Sequence, residues 1–205
     1  MKHAASQPMN IILLGDVGAG KATQSAYFAK KYRMFDFDMG RELTLLRRKN
    51  QQIDQTQQRT ADKGLLTPTK IVREILQKKI HSIPRKQGIL FDGHPKMIGE
   101  AKLTARLLRE TGRANPLVLY LLIPRAESVK RVLARKGYDQ TFIAKRSDDT
   151  IAGLNNRAKY YRDQISKVTT YFAKQYQFVC IDGLGTPTQV RARVQHAINE
   201  FQKSL

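Results

Sequence analysis

Two groups of residues in this chain are equipped for chemistry. The first is the run Gly15-Asp16-Val17-Gly18-Ala19-Gly20-Lys21-Ala22-Thr23. Its glycines let backbone N–H groups turn toward one anion, and a helix starting directly after them adds its partial positive charge. Lys21 then reaches the outer phosphates as a point charge. The usual signature of such a loop places Ser or Thr directly after the lysine, for Mg²⁺; here Ala22 stands there and Thr23 follows. The loop is expected to bind a nucleotide's phosphate chain. The second group is four arginines, Arg131, Arg135, Arg146 and Arg157. Arg131 and Arg135 are four apart and share a helical face. Arg146 opens a segment with Asp148 and Asp149, and Arg157 lies about three turns further on. Any one of them alone reads as a surface cation. Converging on the loop, they would clamp a phosphoryl group in flight, a transfer that needs little covalent chemistry and much charge stabilisation.

The elements that must position these residues follow from apolar patterning. Asn10–Leu14 is a short, nearly continuous apolar run, suited to a strand buried on both faces, and Gln24–Lys31 reads as a helix. Met34–Phe37 is a second strand, Arg41–Lys49 a short basic helix, and Gln51–Asp62 a polar, weakly helical surface segment. Lys63–Pro68 reads as a helix end, a turn and a new start, with Thr67 as N-cap and Pro68 at the first helical position. Ile71, Val72, Ile75, Leu76 and Ile80 continue at helical spacing. Gly88–Gly93 is a third strand that ends in Asp92, placed to hold Mg²⁺ through water. Glu100–Glu110 is helical, Pro116–Ile123 a core strand and Arg125–Lys136 a basic helix. A polar loop at Gly137–Lys145, a long helical pattern at Asp149–Gln175, a strand at Gln177–Asp182 and a helix at Thr186–Gln202 complete the chain. Strands alternating with helices predict an α/β fold: a five-stranded, mostly parallel sheet covered by helices on both faces.

Composition sets further bounds. Against 17 acidic residues stand 37 Lys and Arg, a net charge of +20. Such a balance draws polyanions: nucleotides, nucleic acid or an anionic membrane surface. The charge is spread along the chain; its densest cluster is Arg41, Arg47, Arg48 and Lys49, which reads most simply as a solvated helix face. RNA binding is therefore expected to be weak and non-specific. Cys180 is the only cysteine, which excludes an intrachain disulfide and a cysteine metal cage, and it is expected to be a small buried hydrophobe. Met1–Pro8 lacks the apolar core of a signal peptide, and no run reaches the length of a membrane span, so a cytoplasmic protein is expected.

Taken in order, these pieces resemble the adenylate kinase family, and nucleoside monophosphate kinases more widely, from Met9 to about Ile198. Gly15–Gln24 is similar to the family's GxPGxGKGTQ, Gly40 lies at the usual distance from the lysine, and Gly64–Pro68 resembles its GxLVP-like turn. Asp92-Gly93-His94-Pro95-Lys96 is similar to DGFPR, and Arg146-Ser147-Asp148-Asp149 to RxDD; Arg131, Arg135, Arg157 and Ile181-Asp182-Gly183 complete the set. The resemblance implies a P-loop NTPase-like three-layer sandwich of one domain, residues 1–205, with an acceptor-nucleotide lobe at 40–68 and a short lid at 136–146. It implies a monomeric, Mg²⁺-dependent kinase with ATP as donor and AMP as first expectation for acceptor. The alternatives are CMP, UMP or another monophosphate, or a degenerate nucleotide- or RNA-binding paralogue. A lid without the cysteine tetrad of its zinc-bearing forms implies no zinc.

By the same resemblance, Gly15, Val17, Gly18, Ala19, Gly20, Lys21, Ala22 and Thr23 hold the donor phosphates, with Arg131 beside the donor base. Arg135, Arg146 and Arg157 surround the transferring group; Thr23 and, through water, Asp92 serve the metal. The acceptor lies among Gly40, Arg41, Thr44, Arg48, Leu66, Thr67, Gly93, Lys96 and Glu100, within reach of Arg146 and Arg157. The departures gather on the acceptor side. Thr44 takes the place of an arginine that grips the acceptor phosphate, while Arg41 and Arg48, three before and four after, share its helical face and offer a substitute. Lys96 replaces an arginine and loses the bidentate fork. Glu100 replaces a glutamine that reads adenine, and a carboxylate only accepts hydrogen bonds. His94 replaces phenylalanine; within the loop, Val17 replaces proline and Ala22 glycine.

Lys21→Ala is expected to abolish phosphoryl transfer while leaving the folded state intact, since the lysine is a charge within a backbone cradle. Activity assays paired with thermal melts check this; a folded variant that keeps most of its activity overturns the loop assignment.

Overall fold

The computed structural model describes residues 8–49, 69–134 and 163–204, with side chains at all of these except 47–49 and 69. In chain order the elements are β1 (Asn10–Gly15), α1 (Lys21–Lys31), β2 (Phe35–Asp38), α2 (Met39–Lys49), α3 (Thr69–Ser82), β3 (Ile89–Asp92) and α4 (Ile98–Glu110). They continue with β4 (Pro116–Leu122), α5 (Arg125–Leu133), the helix α6 at 163–173, β5 (Phe178–Asp182) and α7 (Pro187–Lys203). The sheet order is β2-β3-β1-β4-β5, and every neighbouring pair is parallel. Two of the expected segments, 51–62 and 137–145, lie outside the described residues, as do Thr67, Pro68, the lid at 136–146 and most of the 40–68 lobe.

β1 is central because its side chains can be buried both ways. Ile12 and Leu14 enter one core with Phe37, Leu76, Phe91 and Phe172, from β2, α3, β3 and α6. Ile11 and Leu13 enter the other with Phe28, Val194 and Ile198, from α1 and α7. Each such side chain contributes about 1.5–3 kcal/mol by leaving water, so a polar residue is costly on either face. That is why the strand reads as an uninterrupted apolar run. At the sheet's edge the rule relaxes. In β5, Ile181 is buried while Cys180 and Asp182 are exposed, so Cys180 is not the buried hydrophobe its apolar neighbours suggest. An edge strand has a face with less to pack against, and alternation returns.

Two devices fix where β1 ends and begins. At its C-terminal end Gly15 has φ +151°, and a Cβ there would lie 2.5 Å from the Leu121 carbonyl oxygen. Only glycine permits this approach, and Asp16 N–H then donates to the same oxygen at 3.0 Å as the chain turns off the sheet. At its N-terminal end the buried Asn10 amide spans both neighbours, donating to Ala114 O at 2.8 Å and accepting from Ile89 N–H at 3.1 Å. Crossovers leave β1 and its neighbours toward opposite faces, which opens a crevice at the C-terminal ends of the strands. α7 shows how locally a helix start is written: Thr186 caps it, Pro187 opens it, and Gln189 completes a reciprocal capping box. Among the described residues no helix is long and apolar enough to cross a membrane.

Asn10→Ala would leave the Ile89 N–H and the Ala114 carbonyl without partners in a buried setting. Urea melts are expected to show a loss of about 2–3 kcal/mol; a loss under about 0.5 kcal/mol would mean the amide is not a tie between strands.

Candidate functional site

The phosphate loop sits over the crevice. Gly18 (φ +80°) and Gly20 (φ +88°) take left-handed conformations that turn its amides. Gly20 is the N-cap of α1, with no side-chain cap hydrogen bond and no acidic residue in the first turn. The first N–H groups of the helix are thus unclaimed by side chains, the arrangement that receives an anion. α5 packs behind the loop: Ser128 Oγ donates to Val17 O at 2.7 Å, and a Cβ on Gly18 would meet Ser128, Val132 and Arg131.

Lys21 lies across this cradle. Its Nζ donates to Gly15 O and to Asp16 O, each at 2.8 Å, and its Cε lies 3.3 Å from where a Cβ on Gly93 would be. Gly93 follows β3 with φ +60°, and its N–H donates to Leu13 O at 2.9 Å. The ammonium is therefore brought to the end of β3, beside Asp92. Burial raises the Asp92 carboxyl to about 6, and the carboxylates of Asp38 and Asp36 add to the rise, while Lys21 and the Ser25 hydroxyl oppose it. Registers explain the company: in parallel pairing Asp38 stands opposite Asp92, and Asp36 opposite Leu90. Magnesium takes oxygen donors, one or two from carboxylates and the rest from phosphates and water. Asp92, crowded by like charge that a cation would relieve, fits such an ion. Among the described residues no three metal-ligating side chains converge into a cage. The hydroxyl beside Asp92 belongs to Ser25, while Ala22 and Thr23 are exposed on the first turn of α1.

Arg131 joins the loop to the chain's last motif. Its Nε donates to Glu127 at 2.6 Å and its Nη1 to Gly183 O at 3.1 Å, which sets the guanidinium between α5 and the end of β5. The loop, Lys21, Asp92, Gly93 and Arg131 thus meet at one end of the sheet. Arg135, Arg146, Arg157, Leu66 and Thr67 lie outside the described residues, as does the side chain of Arg48.

On the acceptor side the candidate residues have internal partners. Asp38 Oδ1 accepts from the N–H groups of Gly40 (2.7 Å) and Arg41 (3.3 Å), which starts α2. The Arg41 guanidinium pairs with the Asp36 carboxylate at 3.2 Å and also donates to the Asp36 carbonyl. Thr44 Oγ1 donates back along the helix to Gly40 O at 2.9 Å. Glu100, only 3% exposed, is at the third position of α4 and turns its carboxylate to the helix start, accepting from Lys96 N–H at 3.0 Å. Burial raises its pKa, opposed by the Lys96 and Met97 amides and the Lys96 charge. His94 lies against Phe37 with ring centroids 5.6 Å apart; burial and the Lys96 charge push its imidazole down to about 3, so it is neutral at physiological pH.

Sequence reasoning missed Asp36, Asp38, Ser25, Asp16 and Tyr120. Tyr120 Oη donates to Asp16 Oδ1 at 2.8 Å and Ile123 N–H to Asp16 Oδ2 at 2.9 Å. An acidic residue within an anion-binding loop was the available signal for that last pair; polar residues alternating in β2, Asp36 and Asp38, were the signal for the carboxylates.

Residues 13–177 match the family model described as Adenylate kinase. An adenylate kinase of Parabacteroides distasonis is 27% identical over 194 residues, 95% of this chain and 100% of that protein. One from Thermus thermophilus is 28% identical over 188 residues, 92% of this chain and 96% of that protein. One from Methanosarcina barkeri is 26% identical over 214 aligned positions, 94% of this chain and 100% of that protein.

The raised Asp92 carboxyl links the site to stability. With a folded pKa of about 6 against an ordinary 3.8, the folded state holds the extra proton between those values. Its stability therefore falls as pH rises through that window and stays reduced above it. Asp92→Asn is expected to raise stability of the nucleotide-free protein at pH 7.5 by on the order of 1–3 kcal/mol, with the gain shrinking toward pH 4. Thermal melts across this range check it; equal melting temperatures at pH 7.5 would mean the carboxylate carries no such cost.

Proposed function

The chain belongs to the adenylate kinase family, and within that family's phosphotransferase chemistry we propose that it transfers the γ-phosphoryl of ATP to AMP, giving two ADP. The observation that carries the kinase reading is the gathering of Lys21, Asp92 and Arg131 at the loop, and AMP as acceptor rests on the family. The loop amides and the start of α1 receive the donor phosphates, and Lys21 exchanges the carbonyls of Gly15 and Asp16 for phosphate oxygens. Arg131 flanks the donor base. Magnesium, when bound with ATP, neutralises phosphate charge; Asp92 would orient its water, and Ser25 or Thr23 would supply the hydroxyl that Ala22 lacks. Arg135, Arg146 and Arg157 stabilise charge as it develops on the group in flight. The acceptor lies against Gly93–Glu100 and the start of α2, where Lys96 and either Arg41 or Arg48 meet its phosphate in place of the family's arginine pair. The enzyme acts as a cytoplasmic monomer, and its excess positive charge steers nucleotides with only weak, salt-sensitive attraction for RNA.

A second reading, a kinase for CMP, UMP or another monophosphate, is favoured by Glu100. Its carboxylate cannot donate to an adenine ring nitrogen, and it is engaged at the start of α4.

A coupled assay with Mg²⁺·ATP and each of AMP, CMP, UMP and GMP separates these. The highest kcat/KM is expected for AMP; faster turnover of a pyrimidine moves the assignment to the second reading, and no turnover of any of them rejects the kinase. Replacing Arg135, Arg146 or Arg157 by Ala is expected to lower kcat by on the order of 10² or more with smaller changes in KM. Effects confined to KM would make them binding residues.

A further inference from the structure

The loop that receives an anion carries an acid of its own. Asp16 follows Gly15 directly, and a carboxylate at that position facing the hollow would repel the phosphates the loop is built to hold. The structure resolves the conflict by sides. β1 lies between β3 and β4. On the β3 side are Lys21, the end of β3 at Asp92, and Gly93. The Asp16 carboxylate is drawn to the β4 side, where both its oxygens are engaged: Oδ1 by the Tyr120 hydroxyl at 2.8 Å and Oδ2 by the Ile123 N–H at 2.9 Å. The Asp16 backbone is fixed at the same time, its N–H on Leu121 O and its carbonyl under Lys21 Nζ. Val17 stands where the resemblance expects a proline, so the loop lacks a ring-locked φ there. The side-chain anchor supplies stiffness by another route.

We propose that Tyr120 is a positioning residue for the donor nucleotide, acting through Asp16: its hydroxyl holds the loop's carboxylate on the β4 side, away from the phosphates, and keeps the loop in its binding shape. This rests on the assignment of the loop to ATP made above. Tyr120 touches no reacting atom in this scheme. Its ring packs against the first core, so Tyr120→Phe removes the hydroxyl and keeps the packing. Ile123 N–H alone then holds Asp16, and the carboxylate gains the freedom to swing toward the hollow.

The test is a double-mutant cycle on the full chain, read by ATP titration, by AMP titration, by steady-state kinetics and by thermal melting. Tyr120→Phe is expected to weaken ATP binding and raise the ATP KM by about three- to tenfold, with AMP affinity and kcat within about twofold. In the Asp16→Ala background the same change is expected to cost nothing further, because no carboxylate remains to be held. Equal ATP affinity for Tyr120→Phe and the parent overturns the proposal. So does an additive loss in the double variant, which would mean the hydroxyl acts on the fold and not through Asp16. A parent protein that does not bind ATP rejects the donor-site assignment itself, a result visible before any variant is compared.

Discussion

One ammonium ties the donor half together. Lys21 Nζ, bonded to the carbonyls of Gly15 and Asp16, reaches from the end of β1 to the end of β3. That reach exists because the sheet is parallel and in register: Leu13 pairs with Asp92, and the Gly93 N–H closes on Leu13 O. Gly93, lacking a Cβ and turned to φ +60°, leaves room for the lysine stem. A side chain there would push the charge off the strand ends. The two apolar cores are the means by which a cation, a phosphate cradle and a partly desolvated carboxylate are held within reach of each other.

The charges around that lysine are not arranged for stability. Asp92 is lifted to about 6 by burial and by the carboxylates aligned with it on β2, so the folded state carries an ionised group it would shed if it could. The cost is of the same order as a sizeable fraction of a domain's net stability of about 5–15 kcal/mol. It is tolerable because the two cores are well filled, with Phe28, Phe37, Phe91 and Phe172 all almost fully buried. Repulsion among carboxylates in the free protein becomes attraction for a cation that arrives with the nucleotide. Asp16 shows the opposite solution, since a carboxylate in the loop gains nothing from such a cation if it is held on the far side of β1.

Much of this was legible in the sequence, and what was not has physical reasons. A strand buried on both faces must be apolar throughout, so β1, β3 and β4 announced themselves, and glycines at Gly15, Gly18 and Gly20 marked the loop because no other residue fits those backbones. Cys180 misled because burial was inferred from its neighbours, while β5 at the sheet's edge lets alternate residues face outward. By resemblance Glu100 was expected at the place of a base-reading glutamine, but at the third position of α4 its carboxylate has a competing local partner in the amides at the helix start. The partnership of Asp16 with Tyr120 spans 104 residues; no pattern within a window of sequence can show it. Asp36 was read only as a strand residue, and Asp38 fell just past the strand as read, because their importance arises from pairing with β3.

The same register also accounts for the partners found at the start of α2. Asp36 and Asp38 on β2 place carboxylates beside Asp92, and each is answered locally: Asp38 by the amides that open α2, Asp36 by the Arg41 guanidinium. An arginine so engaged is still open to a ligand, since the pair has side chains 26% and 29% exposed. Ion pairs near water contribute only about 0–1 kcal/mol, so releasing one costs little. A monophosphate offers about two negative charges where Asp36 offers one, and oxygens that match the planar fork. Were Arg41 to meet the acceptor phosphate as proposed, that pair would give way at little cost, but the Asp36 carboxylate, one of whose oxygens is already buried without a hydrogen-bond partner, would lose the guanidinium on the other. Part of what such an exchange gains is thus returned by Asp36, whose lost contact favours the closed pair in the absence of a ligand.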